Sequence, residues 1–207
     1  PPALLRPFIM SFLTTALAPS PSLFEQGARL INGDGKRFCD EHGTPALALA
    51  DQPGKFGYIL IDGALAQRFS DWPHFVSTAP GVAYAYVADY RRNRPDVFHQ
   101  ADTIDGLAHA IGVHGAALRA SMCEGDNPLR EPPFIALGPV RPVFVHNEGG
   151  LAVDLEHRVL GTNDAPIPRL WAAGSTGQGG LLLKGHGHHL AWAFVSGRRA
   201  GRFAARA

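Results

Sequence analysis

The chain has 207 residues, and its 19 Lys and Arg against 18 Asp and Glu leave a formal net charge of +1. Such a balance gives no sign of a nucleic-acid surface or an anionic-lipid surface, while 45% hydrophobic content suffices for the core of one large domain or two small ones. Two distant cysteines, Cys39 and Cys123, form neither a disulfide framework nor a zinc motif, so a reducing, cytoplasmic setting is the expectation.

The chain opens PPALLRPF, without methionine, which suggests that an upstream part has been removed or sits on another polypeptide. Residues 1–26 are apolar and proline-punctuated, with no assignable period. Their longest apolar stretch, FIMSFLTTALA (Phe8 to Ala18), is too short to span a bilayer, and no clean cleavage pattern follows it. In GARLINGDGKRFCDE the runs ARLI and KRFC around the turn NGDG predict a β-hairpin. FGYILID reads as a buried strand and GALAQRF as a following helix. VAYAYVADY (Val82 to Tyr90) fits a strand or a helix equally.

From Asp102 or Thr103, either of which can cap, a helix carries Ile104, Leu107, Ala108 and Ile111 on one face. Gly112 ends it, and a second helix bears Ala117, Leu118 and Met122. PFIALGPVRPVFVHNEGGLAVD is strand-like, with prolines at edges or turns. HRVL, the turn GTNDAPIP and the short strand RLWAAGS lead into a glycine-rich loop. A closing helix over Leu190 to Ala204 carries Ala193, Gly197, Gly201 and Ala204 as a small-residue stripe, which permits close packing against a sheet. GRRAGRFAAR within and beyond it reads as a solvated basic face.

The stretch GSTGQGGLLLKGHGHHLAWAF (Gly174 to Phe194) carries the chemistry. A strand, a bare loop and a helix start in succession expose backbone N–H groups with partial positive charge. These attract carbonyl or anionic oxygens, and glycine lets a flat ring come close. Many such loops bind nothing. A metal site would need His186, His188 and His189 to converge, but their i, i+2, i+3 spacing does not share a helical face, and no acidic residue lies near. No metal is expected.

Taken together, HNEGGLAV, RVL, PIPRLWAAGS, GGLLLKGHGHH and SGRRAGR resemble the C-terminal part of the fumarate reductase/succinate dehydrogenase flavoprotein family, a group that includes soluble fumarate reductases and 3-ketosteroid dehydrogenases. GARLINGDGKRFCDE and QADTIDGLAHAIGVHGAAL resemble its elements further upstream. The resemblance implies a mixed α/β fold: residues 1–41 as part of an FAD-binding domain leading into a cap, 42–138 as the cap, and 139–207 as the C-terminal part of a Rossmann-like FAD-binding domain.

It also implies FAD, held by Gly149, Gly150, Ala173, Gly174, Ser175, Gly187, His188, His189 and Leu190. Many relatives carry glutamate where Ser175 stands. The implied reaction moves hydride between flavin and an activated carbon–carbon bond of a small-molecule substrate, with His146 and Lys184 as the residues that orient its activating group. Lys184 replaces an arginine, keeping charge but losing the bidentate fork. Four residues beyond Glu41, where fumarate reductases place a proton-donating arginine, stands Pro45, which cannot donate. Fumarate is therefore an unlikely substrate for this sequence, and Tyr84, Tyr86 and Tyr90 become candidates for the missing acid, Tyr86 foremost. The GxGxxG that grips the FAD pyrophosphate is absent from these residues. The expectation is that a partner polypeptide supplies it and that this chain alone does not retain FAD. A non-catalytic fragment or interaction subunit is the alternative.

Overall fold

The computed structural model describes residues 2–125, 127–143, 149–181 and 186–207. Contacts divide the chain into two compact units, Pro1–Val143 and Phe144–Ala207.

The first unit begins with a helix, α1 (Pro2–Thr15), where sequence period gave no assignment, and a short α2 (Pro21–Glu25) with proline at its start. Met10, Leu13 and Thr14 of α1 are buried, while Leu5, Phe8 and Phe12 face outward, so apolar residues occupy both sides and no single face announces the helix. Strand β1 (Arg29–Asn32) follows, then α3 (Pro45–Ala50), a 3₁₀ turn (Pro53–Lys55), β2 (Gly57–Ile61) and α4 (Gly63–Arg68). Next come β3 (Ser77–Ala79), β4 (Ala83–Ala85), α5 (Val87–Asn93), β5 (Phe98–Ala101), α6 (Ile104–Ile111), α7 (Gly115–Cys123) and β6 (Phe134–Val140).

Four strands make an antiparallel sheet in the order β1-β2-β6-β5. All five residues of β2 are buried, as expected of an unbroken GYILI run at the centre of a sheet. Helices α6 and α7 supply Leu107, Ile111, Leu118 and Met122 to the same core as Ile31, Leu60 and Ile135. Thr103 caps α6 by accepting from the Gly106 N–H, and Gly112 closes it at φ 70°.

Two elements differ from the sequence reading. The NGDG turn forms, with the Asn32 N–H donating to the Lys36 carbonyl at 2.9 Å, but the second arm makes only one bridge, Ile31 to Arg37. The ladder partner of β1 is β2, and toward the hairpin arm Glu41 takes the place of a longer ladder: its carboxylate accepts from the Leu30 N–H at 2.9 Å and chelates Arg37 through contacts of 2.6 to 3.1 Å. Burial opposes that charge, yet Arg37 and the Leu30 N–H hold the Glu41 carboxyl below its usual range. VAYAYVADY is both strand and helix, divided at Tyr86: its N–H donates to Asp89 Oδ2 at 3.0 Å and stops the strand where α5 starts.

The second unit contains β7 (Arg158–Leu160) paired antiparallel with β8 (Pro166–Trp171), and α8 (His186–Ala204). The small-residue stripe is not the packed face of α8. Ala193, Gly197, Gly201 and Ala204 are exposed, and a Cβ at either glycine would meet nothing within 4 Å. Ser196 and Ala200, four residues apart, are buried instead, with Trp192 half-buried one turn before them.

Candidate functional site

Where β8 ends, the chain turns through a loop bent by glycine at Gly174 and Gly179, both at φ 59°. Gly177 closes the bend: a Cβ there would stand 2.4 Å from the Ala172 carbonyl oxygen. A second backbone segment lies against this loop. The Leu151 N–H donates to the Thr176 carbonyl at 2.7 Å, and a Cβ on Gly150 would sit 2.5 Å from the Ser175 carbonyl oxygen and 2.7 Å from that of Thr176. Only glycine permits so close an approach. The structure thus brings Gly149, Gly150, Ala173, Gly174 and Ser175 into one neighbourhood.

Helix α8 is tied to the same loop. Gly174 donates its N–H to Ser196 Oγ at 2.8 Å, and its carbonyl accepts from Trp192 Nε1 at 3.0 Å. Deeper in the unit, His157 is 4% exposed and accepts from Arg199 Nε at 3.3 Å through Nε2, which places its own hydrogen on Nδ1. Burial, then the Arg199 charge, pushes the His157 pKa below its ordinary value. His157 Nδ1, Trp171 Nε1 and Gln178 Oε1 are buried with no hydrogen-bond partner among the described residues. Trp192, Ser196 and His157 were missed in the sequence. The available signal was a serine four residues after a tryptophan inside an apolar helix.

His188 and Leu190 are exposed and His189 is half-buried at the start of α8, the positive end of its dipole. Gly187 lies in this first turn, after His186. Two predicted substrate-orienting residues, His146 and Lys184, lie outside the described residues. Tyr86 belongs to the first unit and is half-buried. Its neighbours have other work: Tyr84 lies 4.9 Å, centroid to centroid, from both Trp72 and Phe75, and Tyr90 is buried with its hydroxyl donating to Ser77 Oγ at 3.0 Å. Pro45 opens α3 as its first residue. Among the described residues, no group of three or more His, Cys, Asp or Glu is placed to hold a metal ion. No described helix is long and apolar enough to cross a membrane.

No family model matches the chain. Relatives and solved structures do. A fumarate reductase of Schizosaccharomyces pombe is 29% identical over 204 residues, covering 92% of this chain and 38% of that protein. The structure of an open flavocytochrome c3 fumarate reductase superposes with TM-score 0.62 at 27% identity, over 90% of this chain and 34% of that one. The chain is a homologue of the fumarate reductase flavoproteins. A digoxin reductase of Eggerthella lenta is 29% identical over 198 residues, 84% of this chain and 34% of its own. A 3-ketosteroid delta1-dehydrogenase from Sterolibacterium denitrificans shares the fold, with TM-score 0.59 at 24% identity over 93% of this chain and 41% of that one. The chain therefore spans about a third of the length of the curated relatives it matches. The mixed α/β architecture expected from the sequence is what the chain has, and its sheets are antiparallel.

Proposed function

We propose that these residues form part of an FAD-dependent oxidoreductase acting on an activated carbon–carbon bond, as a dehydrogenase or an ene-reductase. One observation carries the reading. The loop after β8 is packed backbone to backbone on Gly150 and fastened through Gly174 to α8, within a chain 27–29% identical to fumarate reductases. Bound FAD would supply the exchange of hydride with the substrate.

The residues fit a flat group with a polar edge in two respects. Among the described residues nothing lies within 4 Å of where a Cβ on Gly174 or Gly180 would stand, which suits the approach of a ring to the backbone there. The positive end of the α8 dipole, at the turn that carries His188, His189 and Leu190, favours a ring carbonyl oxygen placed against it. Gly149, Gly150, Ala173, Ser175 and Gly187 complete the surrounding backbone. His146 and Lys184 orient the electron-withdrawing group of a small-molecule substrate, and Tyr86 is the candidate proton donor. Residues 1–41 and 139–207 belong to the FAD-binding domain in this reading, with residues 42–138 as the cap. The grip on the FAD pyrophosphate comes from a Rossmann portion outside these residues, on the same or a partner polypeptide.

The test is an assembly of this chain with a dinucleotide-binding half, reconstituted with FAD. His146→Ala should lower turnover while flavin content stays at the wild-type level. Unchanged turnover removes His146 from the site, and an assembly that binds no FAD removes the reading. Pro45 favours a second reading, a subunit that keeps the fold without the chemistry, because it stands where fumarate reductases carry an acid. Reoxidation of the reduced assembly by dicarboxylates, enoyl compounds or 3-ketosteroids separates the two: no substrate response would leave only the second.

A further inference from the structure

We infer that Ser196 and Trp192 are positioning residues that set where the first turn of α8 stands relative to the strand β8. The inference rests on the proposed flavin site but concerns groups two and six residues beyond Leu190, its last residue on α8. Gly174 has two backbone polar groups, and side chains of the same helix hold both. Ser196 Oγ accepts from its N–H at 2.8 Å, and Trp192 Nε1 donates to its carbonyl at 3.0 Å.

Ser196 is fully buried, and its own proton goes to the Trp192 carbonyl one turn back. A hydroxyl can donate once and accept in addition, so a single buried oxygen joins the helix backbone to the loop backbone. A helix slip of one residue moves it about 1.5 Å along its axis, enough to break both contacts at once. Donors at the helix start act on a ligand through distance, so whatever fixes that axis tunes them.

Two readouts test this. Amide exchange at Gly174, measured on the 207-residue chain, should quicken about tenfold in Ser196→Ala, as loss of one buried hydrogen bond predicts. In the FAD-loaded assembly, the ratio of affinities for reduced over oxidised FAD should fall roughly three- to tenfold, seen as a more negative midpoint potential. Ser196→Thr keeps the hydroxyl and should restore both values. Trp192→Phe removes only the carbonyl bond and should move both in the same direction, which keeps the test alive should Ser196→Ala fail to fold. Unchanged exchange at Gly174 would overturn the clamp. Faster exchange with an unchanged midpoint potential would leave a structural tie and overturn the positioning role. A wild-type assembly without bound FAD defeats the proposed function and this role together, and is recognised because exchange at Gly174 still responds to Ser196→Ala.

Discussion

Gly150→Ala is the sharpest perturbation of the loop packing. The new methyl carbon would stand 2.5 Å from the Ser175 oxygen, 2.7 Å from the Thr176 oxygen and 3.1 Å from the Thr176 carbonyl carbon. The first distance is 0.9 Å short of the 3.4 Å at which ordinary contact begins, and all three atoms are backbone, so no rotamer relieves the clash. The two segments must separate by most of that distance, which also stretches the 2.7 Å bond from the Leu151 N–H to Thr176. Overpacking of this kind costs about 1–3 kcal/mol, and weakening a hydrogen bond adds about 1 kcal/mol. We expect a loss of about 2–4 kcal/mol confined to the second unit, read by urea denaturation with Trp171 and Trp192 fluorescence.

Gly180→Ala is the matched control. It lies in the same loop, and a Cβ there meets nothing within 4 Å. If Gly150→Ala unfolds within about 0.5 kcal/mol of the control, the span expected for a neutral surface change, the backbone contact is not what the geometry makes it.

Three further outcomes follow from contacts elsewhere. Asp62→Ala removes a carboxylate that accepts from the Leu65 N–H at 3.1 Å and from the Arg130 and Glu131 N–H groups at 2.9 and 3.2 Å. Loss of the helix cap together with unpaired buried donors should lower stability of the first unit by about 2–4 kcal/mol, measured by chemical denaturation. His157 has a folded pKa below its unfolded value near 6.5, so the unfolded state binds the proton first. Its contribution to stability is complete above pH 6.5 and declines as pH falls from there through the lowered folded value. His157→Gln should flatten that decline in a pH series of thermal melts, and an unaltered slope would contradict the assignment. Gly197→Ala, at an open helical position, should stabilise the chain by about 0.5–1 kcal/mol in a thermal melt. A fall in Tm would mean that the position is packed.

The parts legible in the sequence were those fixed by local chemistry. Asp62 and Gly63–Arg68, Thr103 with Ile104–Ile111, Gly112, and the buried GYILI run all state their structure within a few residues. The hairpin after Leu30 was half legible, because its turn is local whereas the Glu41 carboxylate that takes the Leu30 N–H lies eleven residues along the chain. VAYAYVADY defeated a period argument because one window held the end of a strand and the start of a helix. The stripe on α8 left the packed face undecided for a different reason. Small residues permit close packing but do not require it, and burial of Ser196 depends on a bond to Gly174, twenty-two residues earlier. Of the candidate site, the bare loop after β8 was visible in composition, while Gly149 and Gly150 were named through the family resemblance. The clamp was not legible, since its partners are side chain and backbone at long range.

The two units are held by different physics, and this bears on where function can reside. The whole described core cluster, from Met10 to Leu137, belongs to the first unit. In the second, the buried apolar residues among those described are Val159, Ala172 and Ala200, and they share the interior with His157, Gln178 and Ser196. Three of the four buried polar atoms without a described partner lie there as well. An interior of that composition gains little from apolar burial and depends on directional bonds being satisfied. Side chains that stay outside, among them Leu190 at 63% and Phe194 at 78% exposure on α8, hold the apolar area that would stabilise it. The second unit is thus the one whose stability should rise most when something binds it, and thermal melts with and without added FAD and a dinucleotide-binding half should raise its transition by more than that of the first unit.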